Sequence, residues 1–321
     1  MRKNCLTVAI AVLSAVTLVV SGCSWLKGPQ KKPGLPTPQQ KQAAGPEPDI
    51  SVYMHETGEK KTMKMEDYIA GVVAGEMKND WPIAALAAQA ILARTFTVER
   101  LEAVGGVPER GTQASTDIKE FQAYNAKAVT DNVRQAVNMT RGMIVTYQGR
   151  PIHAWFHASA GGKTATAKEG LNFKEAEPAY IQSVDSPDDE APPDIKMWTV
   201  SVPKAEMMAA LSRLGQQVGS IDSVEIGQRG PSGRAMTIVI NKSTQVPGPD
   251  LRVNLGGTKV KSMLLDKVEV AGDTVTFSGR GSGHGVGMSQ WGAYKMAMEG
   301  KKPEDIIGYY FKGVNIEQRW Q

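Results

Sequence analysis

Asp67-Tyr68-Ile69-Ala70-Gly71-Val72-Val73-Ala74-Gly75-Glu76-Met77 is followed, three residues on, by Trp81-Pro82 and then by Ala87-Ala88-Gln89-Ala90-Ile91-Leu92-Ala93-Arg94-Thr95-Phe96. Ile69, Val72 and Val73 fall at i, i+3 and i+4, so a helix starting near Met65 turns one apolar stripe to a core. The i+7 position of that stripe is Glu76, with Gly75 ending or loosening the helix just before it. Pro82 suits the first turn of a second helix, which runs to about Val104, where Gly105-Gly106 stops it. Its stripe is Ile83, Ala87, Ala90, Ile91, Val98 and Leu101, and Arg94 lies in the middle of it. A buried guanidinium seldom goes unpaired, and the nearest carboxylate with the same inward aim is Glu76. An Arg94–Glu76 pair lining a cleft is therefore weighed ahead of an arginine that snorkels to solvent.

Outward from this helix pair, Ile50–His55 and Lys60–Met65 read as one hairpin. Met143–Tyr147 and Pro151–His157 read as another, with His153, Trp155 and His157 alternating onto one face. Four residues of strand span about 13 Å, which keeps His153 and His157 from sharing one metal ion. Ser159-Ala160-Gly161-Gly162 follows as a turn whose main-chain N–H groups either face a ligand or simply close the turn. Strands at Thr199–Val202, Ser223–Ile226, Met236–Ile240 and Lys267–Val270, with a helix near Lys204–Leu214, read as a β-rich insertion or second lobe over 198–275. The fold class is α+β, with a core of about 50–195 and 275–321. In Gly279-Arg280-Gly281-Ser282-Gly283-His284-Gly285-Val286-Gly287-Met288-Ser289-Gln290-Trp291-Gly292 the alternate glycines strip one face of a strand, so something packs or binds closely there. Neither a dinucleotide fingerprint nor a phosphate loop fits, and Trp291 stands where a nucleophile elbow needs glycine. Helices near Ser289–Glu299 and Pro303–Phe311 close the chain.

The 321 residues are 41% hydrophobic and 22% charged, a core-forming composition. The net charge of +4 is dispersed, with no basic block of the kind that grips nucleic acid. Both cysteines, Cys5 and Cys23, lie at the amino terminus, so the body has neither a disulfide framework nor a thiolate metal site. Arg2 and Lys3 precede the apolar run Leu6–Val20 and Val20-Ser21-Gly22-Cys23, the order of an export signal. Residues 1–22 are then a signal peptide, and the last four residues look like a lipobox that makes Cys23 the lipidated first residue. The alternative is an uncleaved amino-terminal membrane helix. Either way the protein is tethered outside the cytoplasm. Six prolines among residues 24–49 cannot build a core. That segment is an extended linker reaching away from the bilayer, toward a target in the wall.

The run Asp67–Met77, Trp81-Pro82 and Ala87–Phe96 resembles the stage II sporulation protein D and amidase-enhancer family. So do Thr140-Arg141-Gly142, Phe156–Thr164, Ser183-Val184-Asp185-Ser186-Pro187, Gly281–Ala293 and Tyr309-Tyr310. The resemblance covers most of residues 50–315 and implies a peptidoglycan lytic transglycosylase with a glycan-binding cleft. Glu76 is then the catalytic acid and Arg94 a cleft residue. Gln89, His157, Ser159, Gly161, Gly162, Ser183, Asp185, Gly283, His284, Ser289 and Gln290 are the implied substrate-binding set. Lys78 departs from the proline often found after Gly-Glu-Met. Some members hold zinc in a Cys/His loop that this chain cannot build, so no metal and no cofactor is expected.

Ordinary glycosidases need two carboxyl groups, whereas a lytic transglycosylase uses the muramic acid C6 hydroxyl as an internal nucleophile and works with one. Burial would keep Glu76 protonated and a close Arg94 would oppose that. The implied partners are glycan strands, a stage II sporulation protein P type amidase that strips them of peptides, and an M type membrane scaffold. The location is the outer face of the cytoplasmic membrane, at the engulfing mother-cell membrane in a sporulating organism. Two other readings stay open. One is a glycan-binding enhancer of an amidase; the other is a Ser/His hydrolase, which would need an acid such as Asp185 near His284 or His157.

Overall fold

Pro82 and Gly105 bound the longest helix of the computed structural model, which describes residues 45–321. Helix α1 (Met65–Glu76) and helix α2 (Ile83–Val104) form the predicted pair, and Gly105 caps α2 with φ 77°. The first half of α2 is buried on every side, Ala85 through Ala93 being wholly inaccessible. A helix apolar all round is a central helix rather than a surface one. Its alanines let α1, α3 (Asp131–Met139), α8 (Gln290–Met298), α9 (Pro303–Tyr310) and strand β4 (Met143–Tyr147) pack closely around it. Strand β1 (Asp49–Met54) pairs antiparallel with β2 (Glu59–Lys64) and parallel with β3 (Ala114–Ser115), as the first hairpin required. With 32% helix and 26% strand, the fold is α+β.

Arg94 is fully buried, but its partner is Glu66 and not Glu76. Its Nε donates to Glu66 Oε1 at 3.1 Å and its Nη2 to Oε2 at 2.6 Å. Nη1 donates to the Met143 carbonyl at 2.9 Å. Glu66 Oε1 also accepts from Gly142 N (3.0 Å) and from Trp320 Nε1 (2.7 Å). The reason is helix-hairpin geometry. Counted from the connection at 77–82, Glu66 lies about as far back along α1 as Arg94 lies forward along α2, whereas Glu76 is roughly 15 Å up α1 at 1.5 Å per residue. Arg94 has no exposed surface, so its expected place in a cleft wall is corrected to a core brace.

The second predicted hairpin is shorter than expected. Strand β4 pairs with β5 (Arg150–Pro151), the chain then leaves the sheet, and β6 (Phe156–His157) pairs in parallel with β13 (Met288–Ser289). Proline at 151 has no N–H to continue the ladder. His153 and Trp155 stack on each other, with centroids 4.9 Å apart, while His157 lies elsewhere. Beyond α4 (Ala167–Leu171) and α5 (Pro193–Lys196), a second hydrophobic cluster gathers Trp198, Val202, Leu211, Ile238, Leu251 and Phe277. Around it stand β7 (Trp198–Pro203), α6 (Lys204–Arg213), β8 (Val224–Ile226), β9 (Thr237–Ile240), β10 (Thr244–Pro247), α7 (Gly248–Leu255), β11 (Leu265–Ala271) and β12 (Thr274–Gly279). Strand β12 is the middle strand between β11 and β7. The β-rich part thus extends to Gly279, because Val275 and Phe277 point into its core rather than into the first one.

Two further expectations change. The glycine-alternating run is not a strand, since Gly281, Gly283, Gly285 and Gly287 all have φ between 72° and 102°. The run is a loop whose alternate residues take a backbone region open chiefly to glycine. The linker also ends earlier than Asp49: Gly45 pairs with the chain at 319–321, Glu47 accepts from Glu66 N, and Glu47 binds Arg141. Chain beyond Lys64 thus anchors residues 45–49. Cys23, the signal peptide and the rest of the linker lie outside the described residues. Among the described residues no helix is long and apolar enough to cross a membrane. A strand order β14 (Asn315–Gln318), β4, β5 completes the carboxyl end.

Candidate active site

Glu76 is the last residue of α1, and Met77 turns away in extended conformation. Gly71 and Gly75 share a face of α1 against which Tyr124 lies directly, its ring over Gly71 and its backbone over Gly75. A Cβ on Gly75 would come within 2.7 Å of Tyr124 N. That approach delivers the Ala123 N–H to Glu76 Oε1 at 2.8 Å. Burial pushes the Glu76 carboxyl above its ordinary value, and the hydrogen bonds from Ala123 N–H and from the Gln290 side chain pull it partly back. Its position at the negative end of α1 acts in the same direction as burial. With Arg94 bonded to Glu66, no guanidinium holds Glu76 ionised.

Gln290 opens α8 and is 7% exposed. Its Nε2 donates to Gln89 Oε1 at 3.4 Å, and Gln89, from the buried half of α2, is fully inaccessible. Glu76, Gln89 and Gln290 thus form one side-chain group built from α1, α2 and α8. Next to it Trp291 packs against Trp81 (4.5 Å between centroids) and Tyr294 (5.5 Å), and the Lys78 ammonium stands 5.3 Å from the Trp291 ring centre. A carboxyl group whose pKa is raised by burial, beside a partly exposed aromatic surface, is suited to proton donation to a sugar oxygen.

Four of the remaining expected residues, Ser159, Gly161, Gly162 and Ser289, gather around a carboxylate that sequence reasoning passed over. Asp188 accepts from Ser159 Oγ (3.2 Å), Gly162 N (3.3 Å), Ser186 Oγ (3.0 Å) and Ser289 Oγ (2.7 Å). Gly161 N donates to Ser159 Oγ, and Ser289 Oγ in turn accepts from Gly292 N as the cap of α8. Asp188 therefore fixes the amino end of α8, where a negative charge is favourable, and with it the position of Gln290 and Trp291. Ser159, Gly161, Gly162 and Ser289 are spent on this internal network. Ser183 Oγ donates to the Thr164 carbonyl, and exposed Asp185 accepts from Tyr309 OH through its own carbonyl. Neither carboxyl nor hydroxyl there meets a histidine, so the Ser/His hydrolase geometry is not assembled.

His157 and His284 do meet, with ring centroids 5.6 Å apart, so the histidine nearest His157 comes from the glycine-rich loop and not from its own segment. Gly283 has room for no side chain there, since its Cβ would lie 2.7 Å from His157 Cβ. His157 Nδ1 donates to the Val286 carbonyl, and Val286 N–H donates to His284 Nδ1. His284 therefore carries its proton on Nε2 and has no free lone pair for a metal. Among the described residues no group of three His, Cys, Asp or Glu could hold an ion. Burial, then His284 and Arg234, hold His157 well below its ordinary pKa. Burial, then Arg252 and Arg234, push His284 down to about 3.

These shifts have a direction in stability. The unfolded chain takes up protons near pH 6.5 that both folded histidines refuse, so their contribution is full above that value and is lost as pH falls toward 3. Glu76 works oppositely, its raised pKa adding stability as pH falls, but it is one group against two. His284→Asn should therefore flatten the loss of stability between pH 7 and pH 4.5 in urea titrations. An unchanged pH slope in that variant would show that His284 is not held neutral.

The family profile described as Stage II sporulation protein matches residues 53–147, and a profile described as a domain of unknown function matches residues 171–287. The chain is 34% identical over 283 residues to the stage II sporulation protein D of Bacillus amyloliquefaciens, covering 84% of this chain and 78% of that one. To the same-named protein of Bacillus subtilis it is 34% identical over 286 residues, covering 84% and 79%. It is also similar to the amidase enhancer of Bacillus subtilis, at 28% identity over 301 residues, covering 77% of this chain but 40% of that one. Glu76 and Gln89 fall within the stage II sporulation protein profile, and with 34% identity to two stage II sporulation D proteins over 84% of its length the chain is a member of the stage II sporulation protein D family.

Proposed function

We propose that the protein is a peptidoglycan lytic transglycosylase in which Glu76 serves first as acid and then as base. The observation that carries this is a single carboxyl group raised in pKa by burial, with no charged partner among the causes of its shift. Glu76 gives its proton to the glycosidic oxygen as the bond from muramic acid C1 breaks. The C6 hydroxyl oxygen then bonds to C1, closing a 1,6-anhydro ring, and its proton passes to the Glu76 carboxylate. The catalyst returns to its starting state and no second carboxylate is required. Gln290 orients the Glu76 carboxyl and Trp291 offers a flat apolar face to a sugar ring.

The proposed setting is glycan turnover during sporulation at the outer face of the cytoplasmic membrane, with a lipid on Cys23 as the tether. The mass of the amino-terminal peptide from membrane-extracted protein checks the lipid, and an unmodified peptide beginning before Cys23 would refute it. A stage II sporulation protein P type amidase would supply peptide-stripped strands, and an M type membrane protein would hold the assembly; failure of either to co-purify with the tethered protein would count against these partners. The similarity to an amidase enhancer supports a second reading, glycan binding that stimulates an amidase. Peptide-free strands incubated with the purified protein separate the two. Cleavage yields muramic ends lighter by one water than reducing ends, whereas the enhancer binds strands, leaves them whole and speeds an added amidase.

A further inference from the structure

Lys78 lies two residues past Glu76, exposed in the connection between α1 and α2. Lys64, Lys259, Lys261 and Lys295 each hold a carboxylate within ion-pair distance. Among the described residues Lys78 holds none, and its ammonium rests instead over the face of Trp291. That ring is partly exposed and is braced from behind by buried Trp81 and from the side by Tyr294. A rigid aromatic plate with an unpaired cation at its surface suits a ligand that combines a sugar ring with a negative charge.

Muramic acid carries a lactyl group on O3. While a peptide is attached, the lactyl carbonyl is a neutral amide. Once an amidase removes the peptide, the same position is a carboxylate. We propose that Lys78 is the specificity determinant that recognises the free lactyl carboxylate of a peptide-stripped muramic acid seated on Trp291. The sugar takes the place of the ammonium on the ring, and the lysine stem swings to the rim to meet the carboxylate. This rests on the glycan-cleaving reading above, and it places the reaction after one that hydrolyses the lactyl amide.

The test uses the full chain carrying Glu76→Gln, so that strands stay intact, and measures binding to two probes. One is peptide-free muramyl-glucosaminyl strands; the other is the same strands with their lactyl carboxylates converted to primary amides. The carboxylate strands should bind about tenfold more tightly, the scale of one charge-assisted hydrogen bond. Adding Lys78→Met, which keeps the stem over Trp291 but removes the charge, should bring carboxylate strands down to the level of amide strands and leave the latter within about twofold. Lys78→Arg should retain the discrimination. Equal affinity for both probes before the Lys78 change, or an equal loss on both after it, overturns the assignment. Cleavage by the protein with native Glu76 is scored separately. Discrimination without cleavage retires the transglycosylase and keeps the Lys78 assignment, and cleavage without discrimination does the reverse.

Discussion

Glu66→Gln should cost about 3–5 kcal/mol of folding stability, the usual penalty for stripping one partner from a buried ion pair. Glutamine preserves the shape of Glu66 and an oxygen for Gly142 N and Trp320 Nε1, so the substitution isolates the charge left on Arg94. That guanidinium has no route to solvent, and its remaining partners are the carbonyls of Met143 and Ala90. Arg94→Lys should be milder, since one ammonium can still meet Glu66 while the two-point fork is lost. Urea unfolding at pH 7 checks both. A loss below about 1 kcal/mol for Glu66→Gln, the range of an exposed pair, would mean that the pair is solvated and the core brace is wrong. Cleavage per folded molecule should be unchanged in both variants, because Arg94 touches no cleft surface. A raised KM in Arg94→Lys would return Arg94 to the cleft wall.

Glu76→Gln should lower glycan cleavage by about 10²–10⁴-fold, the typical worth of general acid–base catalysis. Glutamine occupies the same space as a protonated glutamic acid and can still accept from Ala123 N–H, so the surroundings of Gln89, Gln290 and Trp291 are kept. It has no proton to release to a glycosidic oxygen. The variant should also be more stable than the wild type at neutral pH. The native carboxyl is disfavoured as an anion there, and the difference should shrink as pH falls through its raised pKa and vanish below about 4.3, the ordinary glutamate value. In the wild type, cleavage should decline on the alkaline side as Glu76 loses its proton.

Much of the architecture could be read before any coordinates, because strong local signals bound it. Pro82 and Gly105 mark α2, and the apolar spacing of Ile69, Val72 and Val73 marks α1, so the placing of Glu76 at a helix end followed directly. The partner of Arg94 was legible too, by counting rise from the connection between the helices, but Glu66 sits in a first turn where acidic residues are common and attracted no notice. Alternate glycines have the period of a strand, but Gly281, Gly283, Gly285 and Gly287 each take a positive φ, a backbone property that spacing alone does not carry. Only Ser186 of Asp188's hydroxyl partners is local; Ser159 and Ser289 lie 29 and 101 positions away, so the network around it left little trace in the sequence. The meeting of His157 with His284 depends on the parallel pairing of β6 with β13, two short strands brought together from distant parts of the chain. Sites assembled by long-range pairing of two-residue strands are beyond periodicity arguments.

The central claim is that one protonated carboxyl, Glu76, makes anhydro-muramic ends. The most direct measurement is a quantitative mass count of those ends released from peptide-free glycan strands by the wild type and by Glu76→Gln, each shown to be folded and to bind the strands. The account predicts anhydro ends accumulating with the wild type and at least about a hundredfold fewer with the variant. Anhydro ends released by Glu76→Gln at the wild-type rate, or strands bound and left whole by the wild type, would contradict it.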